Sequence, residues 1–178
     1  MLYFKANSIT VLITGKSGIG KSKIAYVLAS KLNASVCEDF ELTSPGYCLN
    51  ALLKVCNPSK NNPLVLLIDE YDIPIMKVIN NTVIHHKMYR SPISDKNSNN
   101  KFMDNLCVND NLITILTSNK DYQWFKDRDA SLVRPGRINI HINLNDKEPH
   151  LTILSDDNCP LASKINKSKF CKKYIKSE

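Results

Sequence analysis

Eight residues near the start of the chain, Gly15-Lys16-Ser17-Gly18-Ile19-Gly20-Lys21-Ser22, carry the spacing G-x-x-x-x-G-K-S. They follow a β-branched apolar run, Ile9 to Thr14, and lead into a segment from Lys21 to Leu32 in which Ile24, Leu28 and Leu32 recur at helical spacing. Between a strand and a helix, such a loop is a cradle for phosphate. The glycines let successive backbone N–H groups turn inward, and the helix N-terminus adds the positive end of its dipole. Lys21 has the reach for the β- and γ-phosphates of a nucleotide, and the Ser22 hydroxyl can ligate Mg²⁺.

Two more strand ends carry groups that suit this chemistry. Leu64-Val65-Leu66-Leu67-Ile68 runs straight into Asp69-Glu70-Tyr71-Asp72. Asp69 can hold Mg²⁺ opposite Ser22, directly or through water. Glu70 can take a proton from water, or orient that water for in-line attack on a γ-phosphate. Leu112 to Thr117 ends in Ser118-Asn119, and the Asn119 amide can bond both the attacking water and the γ-phosphate. Arg134 and Arg137 straddle Pro135-Gly136. The rigid turn is expected to present both guanidinium groups outward, where either can serve as a finger on ATP held by a neighbouring subunit, an effect of about 10³–10⁵ in rate. Taken singly, each group has a plainer reading: a solvated strand end, a turn-capping asparagine, a pair of surface arginines.

The elements that position these groups alternate. Strands are predicted at Ile9 to Thr14, Ala34 to Cys37, Leu64 to Ile68, Leu112 to Thr117 and Ile138 to Leu144. The last alternates, with Ile138, Ile140, Ile142 and Leu144 on one face. Helices are predicted at Lys21 to Leu32, from Tyr47 to Cys56, at Ile73 to Met88 and at Lys101 to Cys107, with a helical turn at Asp129 to Val133. Ser91 to Asn100, polar and asparagine-rich, reads as an exposed loop, and Trp124 and Phe125 as core anchors. The unbroken apolar run at Leu64 to Ile68 is how a strand covered on both faces reads. Alternating strands and helices imply an α/β fold with a mostly parallel sheet, whose ligands bind beyond the carboxyl ends of the strands. The glycine loop, Asp69 and Asn119 all fall at such ends.

Length and composition set bounds. The chain has 178 residues, 43% hydrophobic and 23% charged, which suits one globular core. No apolar run is long enough to span a bilayer and no signal peptide is evident, so an intracellular, by default cytoplasmic, protein is expected. The six cysteines include no C-x-x-C pair and read as buried thiols rather than a zinc site. His85 and His86 are adjacent and read as surface residues. The net charge of +7 is concentrated partly in Lys164, Lys167, Lys169, Lys172, Lys173 and Lys176, a solvated tail or a contact for nucleic acid. Few aromatic residues interleave with those lysines, which leaves nucleic acid unfavoured.

Together these motifs resemble the AAA ATPases, a family within the AAA+ P-loop NTPases. Gly15 to Ser22 matches Walker A, Leu64 to Glu70 matches Walker B, Leu116-Thr117-Ser118-Asn119 looks like the sensor-1 strand, and Asp129 to Arg137 looks like the second region of homology. The layout is nearest to mitochondrial assembly-type AAA proteins and to uncharacterised relatives in large DNA viruses. The resemblance implies a three-layer αβα sandwich with a five-stranded, mostly parallel sheet in the order 5-1-4-3-2. It also implies ATP and Mg²⁺ as cofactors, Asn119 as sensor 1, and Arg134 and Arg137 as fingers acting in trans within a homo-oligomeric ring that remodels a macromolecular substrate. Residues 1–145 are expected to form the ATPase core and 146–178 a basic tail or lid remnant, the helical lid being truncated or absent. Ala130 departs from the family's usual proline, Ile138-Asn139 replaces the frequent Phe-Asp, and no aromatic-hydrophobic-glycine pore loop follows the second strand. Two other functions remain open at this point: a nucleotide-binding scaffold subunit with little turnover alone, and an AAA+-related nucleic-acid helicase or translocase.

Overall fold

In the computed structural model, which describes residues 8–145 and 150–154, a six-stranded sheet carries the chain. The strands are β1 (Ile9–Thr14), β2 (Ser35–Cys37), β3 (Leu64–Ile68), β4 (Leu112–Ser118), β5 (Ile140–Asn143) and β6 (His150–Ile153). Their order across the sheet is β2-β3-β4-β1-β5-β6. The first five strands pair in parallel, and β6 runs antiparallel to β5. The expected 5-1-4-3-2 order is therefore present, and the expected count of five is corrected to six. The sixth strand lies past residue 145, in the stretch where the periodicity of the sequence weakens; the rest of 146–178 lies outside the described residues.

The helices are α1 (Lys21–Leu32), α2 (Leu49–Cys56), α3 (Asp72–Ile79), α4 (Lys96–Val108) and α5 (Tyr122–Arg128), followed by a 3₁₀ turn at Ala130–Val133. Strand β3 shows how the layers arise. All five of its residues are buried. Val65 and Leu67 face α1, where they meet Ala25, Ala29, Ile13 and Ile115. Leu64, Leu66 and Ile68 face the opposite layer, with Leu12, Tyr71, Ile75, Phe102, Met103 and Phe125. A strand with helices on both sides has no polar face to show, which explains its unbroken apolar sequence. Trp124 packs against this second layer and Phe125 is fully buried in it, as expected.

Three elements depart from expectation. Helix α3 stops at Ile79, far short of Met88. Asn81 takes a left-handed backbone (φ 52°), and the N–H of Thr82 closes on Lys77 O at 2.9 Å; this satisfies the last turn and ends the helix. Residues Ser91 to Asn100 do not all form a loop, because α4 begins at Lys96. Asp95 accepts from Ser98 N at 2.8 Å, while Ser98 Oγ accepts from Asp95 N at 2.9 Å, a capping box built with serine in place of the usual glutamate or glutamine. Ile138 does not share a face with Ile140, Ile142 and Leu144. It packs with the α3–α5 layer while the others face α1, because a tight turn at Arg134 to Arg137 precedes the strand.

The thiols also differ from expectation: among the described cysteines Cys48 is exposed and Cys37, Cys56 and Cys107 are half-buried. Cys159 and Cys171 lie outside the described residues. His85 and His86 are exposed in the loop after α3, and among the described residues no cluster could hold a metal through His, Cys, Asp and Glu and no helix is long and apolar enough to cross a membrane.

The arginine turn holds the main correction. Arg137 points inward and is 5% exposed. Its Nε and Nη2 donate to Asp104 at 2.8 and 3.0 Å, and its Nη1 donates to Asn100 Oδ1 and to Ser131 O. Only Arg134 presents its guanidinium outward. Removing one member of a buried charge pair strands the other; Asp104 is half-exposed, which reduces that cost. Arg137→Ala should therefore lose about 2–3 kcal/mol of unfolding free energy in urea, against less than about 0.5 kcal/mol for Arg134→Ala. The Arg137 hydrogen bonds, opposed by partial burial and aided by the charges of Arg137 and Arg134, hold the Asp104 carboxyl below its usual range. Stability from this lowered pKa is fully present above the ordinary carboxylate value and is lost as pH falls through the lowered one. Asp104→Asn should accordingly flatten the acid limb of the melting temperature against pH, below about pH 4.

Candidate functional site

Parallel register brings three strand ends together. Thr14 is level with Ser118, and Ile68 with Leu116, so Gly15, Asp69 and Asn119 leave the same edge of the sheet. The glycine loop turns there. Gly18 and Gly20 adopt φ of 78° and 93°, and Gly20 is the residue from which α1 starts. Gly15 has a different constraint: a Cβ on it would lie 3.1 Å from Leu144 Cβ and 3.2 Å from Ile19 Cγ2. Its N–H bonds Ser118 O at 3.1 Å, and Lys16 N bonds Asn145 Oδ1 at 2.9 Å.

Lys21 is 7% exposed. Its ammonium donates to Gly15 O at 2.8 Å, Lys16 O at 2.9 Å and Asn119 Oδ1 at 2.8 Å, using all three donors. The Asn119 amide nitrogen donates in turn to Glu70 Oε1 at 3.3 Å. Ser22 Oγ donates to Asp69 Oδ1 at 2.9 Å. Lys21, Asn119 and Glu70 thus form one hydrogen-bonded chain beside a hydroxyl–carboxylate pair. That pair suits a hard cation such as Mg²⁺, which takes one or two protein oxygens and fills its remaining positions with water and phosphate.

Several supporting residues went unremarked in the sequence. Thr117, fully buried, donates its hydroxyl to Asp69 and accepts from Glu70 N at 3.1 Å, while its carbonyl accepts from Tyr71 N at 2.8 Å. These bonds hold Glu70 in a left-handed conformation (φ 50°), rarely adopted by residues other than glycine and concentrated at functional sites. Asp72, the last acid of Asp69-Glu70-Tyr71-Asp72, is buried and accepts from Ser118 Oγ at 2.8 Å and Asn119 N at 3.3 Å. It therefore fixes the backbone that carries Asn119. His141 on β5 bonds Thr14 Oγ1 at 2.8 Å and lies against the Tyr122 ring at 5.0 Å; burial lowers its pKa, with Asp121 opposing. Asp72 was visible as part of an acidic run and Thr117 as part of Leu116-Thr117-Ser118-Asn119. His141 and Asn145 have no local signal, because their partners lie far away along the chain.

Neither Arg134 nor Arg137 bonds a member of this cluster. Their side-chain partners are on α4 and on the turn at Ala130–Val133.

A parallel α/β sheet with a glycine loop between β1 and α1, and polar groups at the ends of the two next strands, is the core of a P-loop NTPase. Residues 11–146 match the model of the ATPase family associated with various cellular activities (AAA), and the chain belongs to that family. It is 29% identical over 140 residues to the AAA-ATPase At2g18190 of Arabidopsis thaliana, an alignment that covers 75% of this chain and 27% of that protein. The chain thus spans about a quarter of that relative's length. Among solved structures it is similar to C. elegans PCH-2, with a TM-score of 0.47 and 17% identity over 77% of this chain and 34% of that one. A Pyrococcus horikoshii OT3 protein, from the structural study of PH0250, gives 0.47 and 5% identity over 85% and 89%.

The Asp72 contacts generate a prediction. Asp72→Ala leaves a buried hydroxyl and a part-buried N–H without their acceptor and should cost about 1–3 kcal/mol in urea unfolding. Asp72→Asn, which keeps an acceptor oxygen, should cost less.

Proposed function

We propose that this chain binds ATP and hydrolyses it with Mg²⁺. The observation that carries the reading is the hydrogen-bonded chain Lys21–Asn119–Glu70 beside Ser22 and Asp69. The backbone N–H groups of Gly15 to Ser22 bind the phosphates, and Lys21 exchanges its loop carbonyls for β- and γ-phosphate oxygens. Ser22 and Asp69 would hold Mg²⁺, which would neutralise phosphate charge. Glu70 accepts a proton from a water that Asn119 orients. The oxygen of that water bonds to the γ-phosphorus as the bond to the β,γ-bridging oxygen breaks, so ADP and phosphate leave.

We further infer that the site is completed by a second copy of the chain. Arg134 is exposed in the turn before β5, at the amino edge of β1 where Asn139 N bonds Thr10 O, opposite its own glycine loop, and an arginine finger there serves the neighbour rather than its own subunit. Arg137, engaged on four of its five donors, is assigned a holding role. We propose a ring of such subunits that remodels a macromolecular substrate, a reading supported by the family, whose members usually form oligomers.

Three outcomes are expected. Glu70→Gln keeps ATP binding but loses turnover by at least about 10², measured by phosphate release beside equilibrium binding of a fluorescent ATP analogue. Lys21→Ala loses binding itself. Turnover per subunit rises with protein concentration; a rate independent of concentration would remove the shared-site reading.

A further inference from the structure

We propose that Asp104, on α4, is a positioning residue: it holds Arg134 ready for the nucleotide of an adjoining copy, using Arg137 as a fixed post. This rests on the reading of Arg134 as an arginine acting in trans.

The two arginines share one carboxylate but are bound very differently. Arg137 grips it in a bidentate fork, Nε to Oδ1 at 2.8 Å and Nη2 to Oδ2 at 3.0 Å. With its bonds to Asn100 and Ser131 O it is immobilised, and leaving this place would strand a buried charge. Arg134 meets the same Oδ1 at 3.8 Å, with its side chain 61% exposed. That separation is an ion contact and not a hydrogen bond, and an exposed ion contact is weak. It suffices to bias the direction of the side chain, yet it is easily exchanged for a phosphate, whose oxygens offer a full hydrogen-bonded partner.

The backbone fits the same scheme. Arg137 N and Ile138 N both donate to Arg134 O, at 3.0 and 3.2 Å, closing the Pro135-Gly136 turn. One helical turn beyond Asp104, the Cys107 thiol donates to Gly136 O at 2.7 Å. Residues three apart share a helix face, so α4 grips the turn at its side chain and at its carbonyl. Burial raises the Cys107 thiol to about 11, so it stays protonated and remains a donor at neutral pH. The Asp104 carboxylate also separates two like charges that the short turn would otherwise leave facing each other.

The test mixes variants and follows phosphate release at saturating ATP. Asp104→Asn alone should lose about tenfold in turnover. Glu70→Gln subunits lack the base but offer an intact Arg134. Mixing the two should restore turnover above the sum of the parts, because Asp104→Asn sites then meet a correctly held arginine. Arg134→Ala mixed with Glu70→Gln is the reference pair. Recovery in both mixtures supports the proposal. Recovery with Arg134→Ala but not with Asp104→Asn overturns the role of Asp104 and leaves the trans arginine standing. Recovery in neither overturns the trans arginine itself, and this proposal with it. If Asp104→Asn fails to fold, Asp104→Glu is read in its place. With its charge one methylene further out, it should again lose turnover alone and regain it on mixing; a change in stability alone would not be rescued by a partner.

Discussion

Adjacent strands in a parallel sheet finish along one edge, and here three neighbours do so in level register. Strands β3, β4 and β1 lie side by side, with Ile68 opposite Leu116 and Thr14 opposite Ser118. Side chains beyond those pairs must share the crevice at the carboxyl edge. The register places Asp69 level with Thr117, close enough for the threonine hydroxyl to bond it. It places Gly15 level with Asn119, so that Lys21, one helical start later, can reach the amide. A shift of one residue in β4 would point Thr117 away from the carboxylate and replace it by a neighbour of the wrong chemistry. The apolar residues of β3, shared between two helical layers, make such a shift costly. Core packing and site geometry are therefore one constraint.

A buried ammonium needs a substitute for water. Lys21 has one in two loop carbonyls and the Asn119 oxygen, which take its three donors. The loop is thus held by the residue proposed to bind phosphate, and any phosphate arriving there would compete with protein oxygens already in place. Glu70 is constrained in a complementary way. Thr117 and Tyr71 N hold its backbone in a conformation that a glutamate seldom takes, and the strain is offset by the bonds around it.

Much of this was legible in the sequence, and the reasons for the remainder are specific. The glycine loop, the strand-end acids and Asn119 lie within short contiguous motifs, so their chemistry could be read locally. The five parallel strands were legible as apolar runs. Helix α4 was partly hidden because a buried position on its inner stripe is Asn99, beside Phe102, Met103 and Leu106; a polar residue in the apolar face breaks the pattern. The end of α3 was hidden because asparagine can close a helix as glycine does, and Asn80-Asn81 carries no obvious stop. Arg137 was read as an outward group because its acid, Asp104, lies on another element, and the burial of a charge depends on a partner that local spacing does not reveal. The sixth strand was missed because nothing in its few residues distinguishes an edge strand from a loop.

Asn145 holds Lys16 N through its side chain, and Leu144 lies where a Cβ on Gly15 would come within 3.1 Å of its own Cβ. The carboxyl end of β5 is therefore tied to the glycine loop itself. A second bond, from Leu144 N to Thr14 O at 2.9 Å, ties the same strand end to the start of the loop. Beyond it the chain returns as β6, antiparallel to β5, so the strand end that meets the glycine loop is itself held in the sheet.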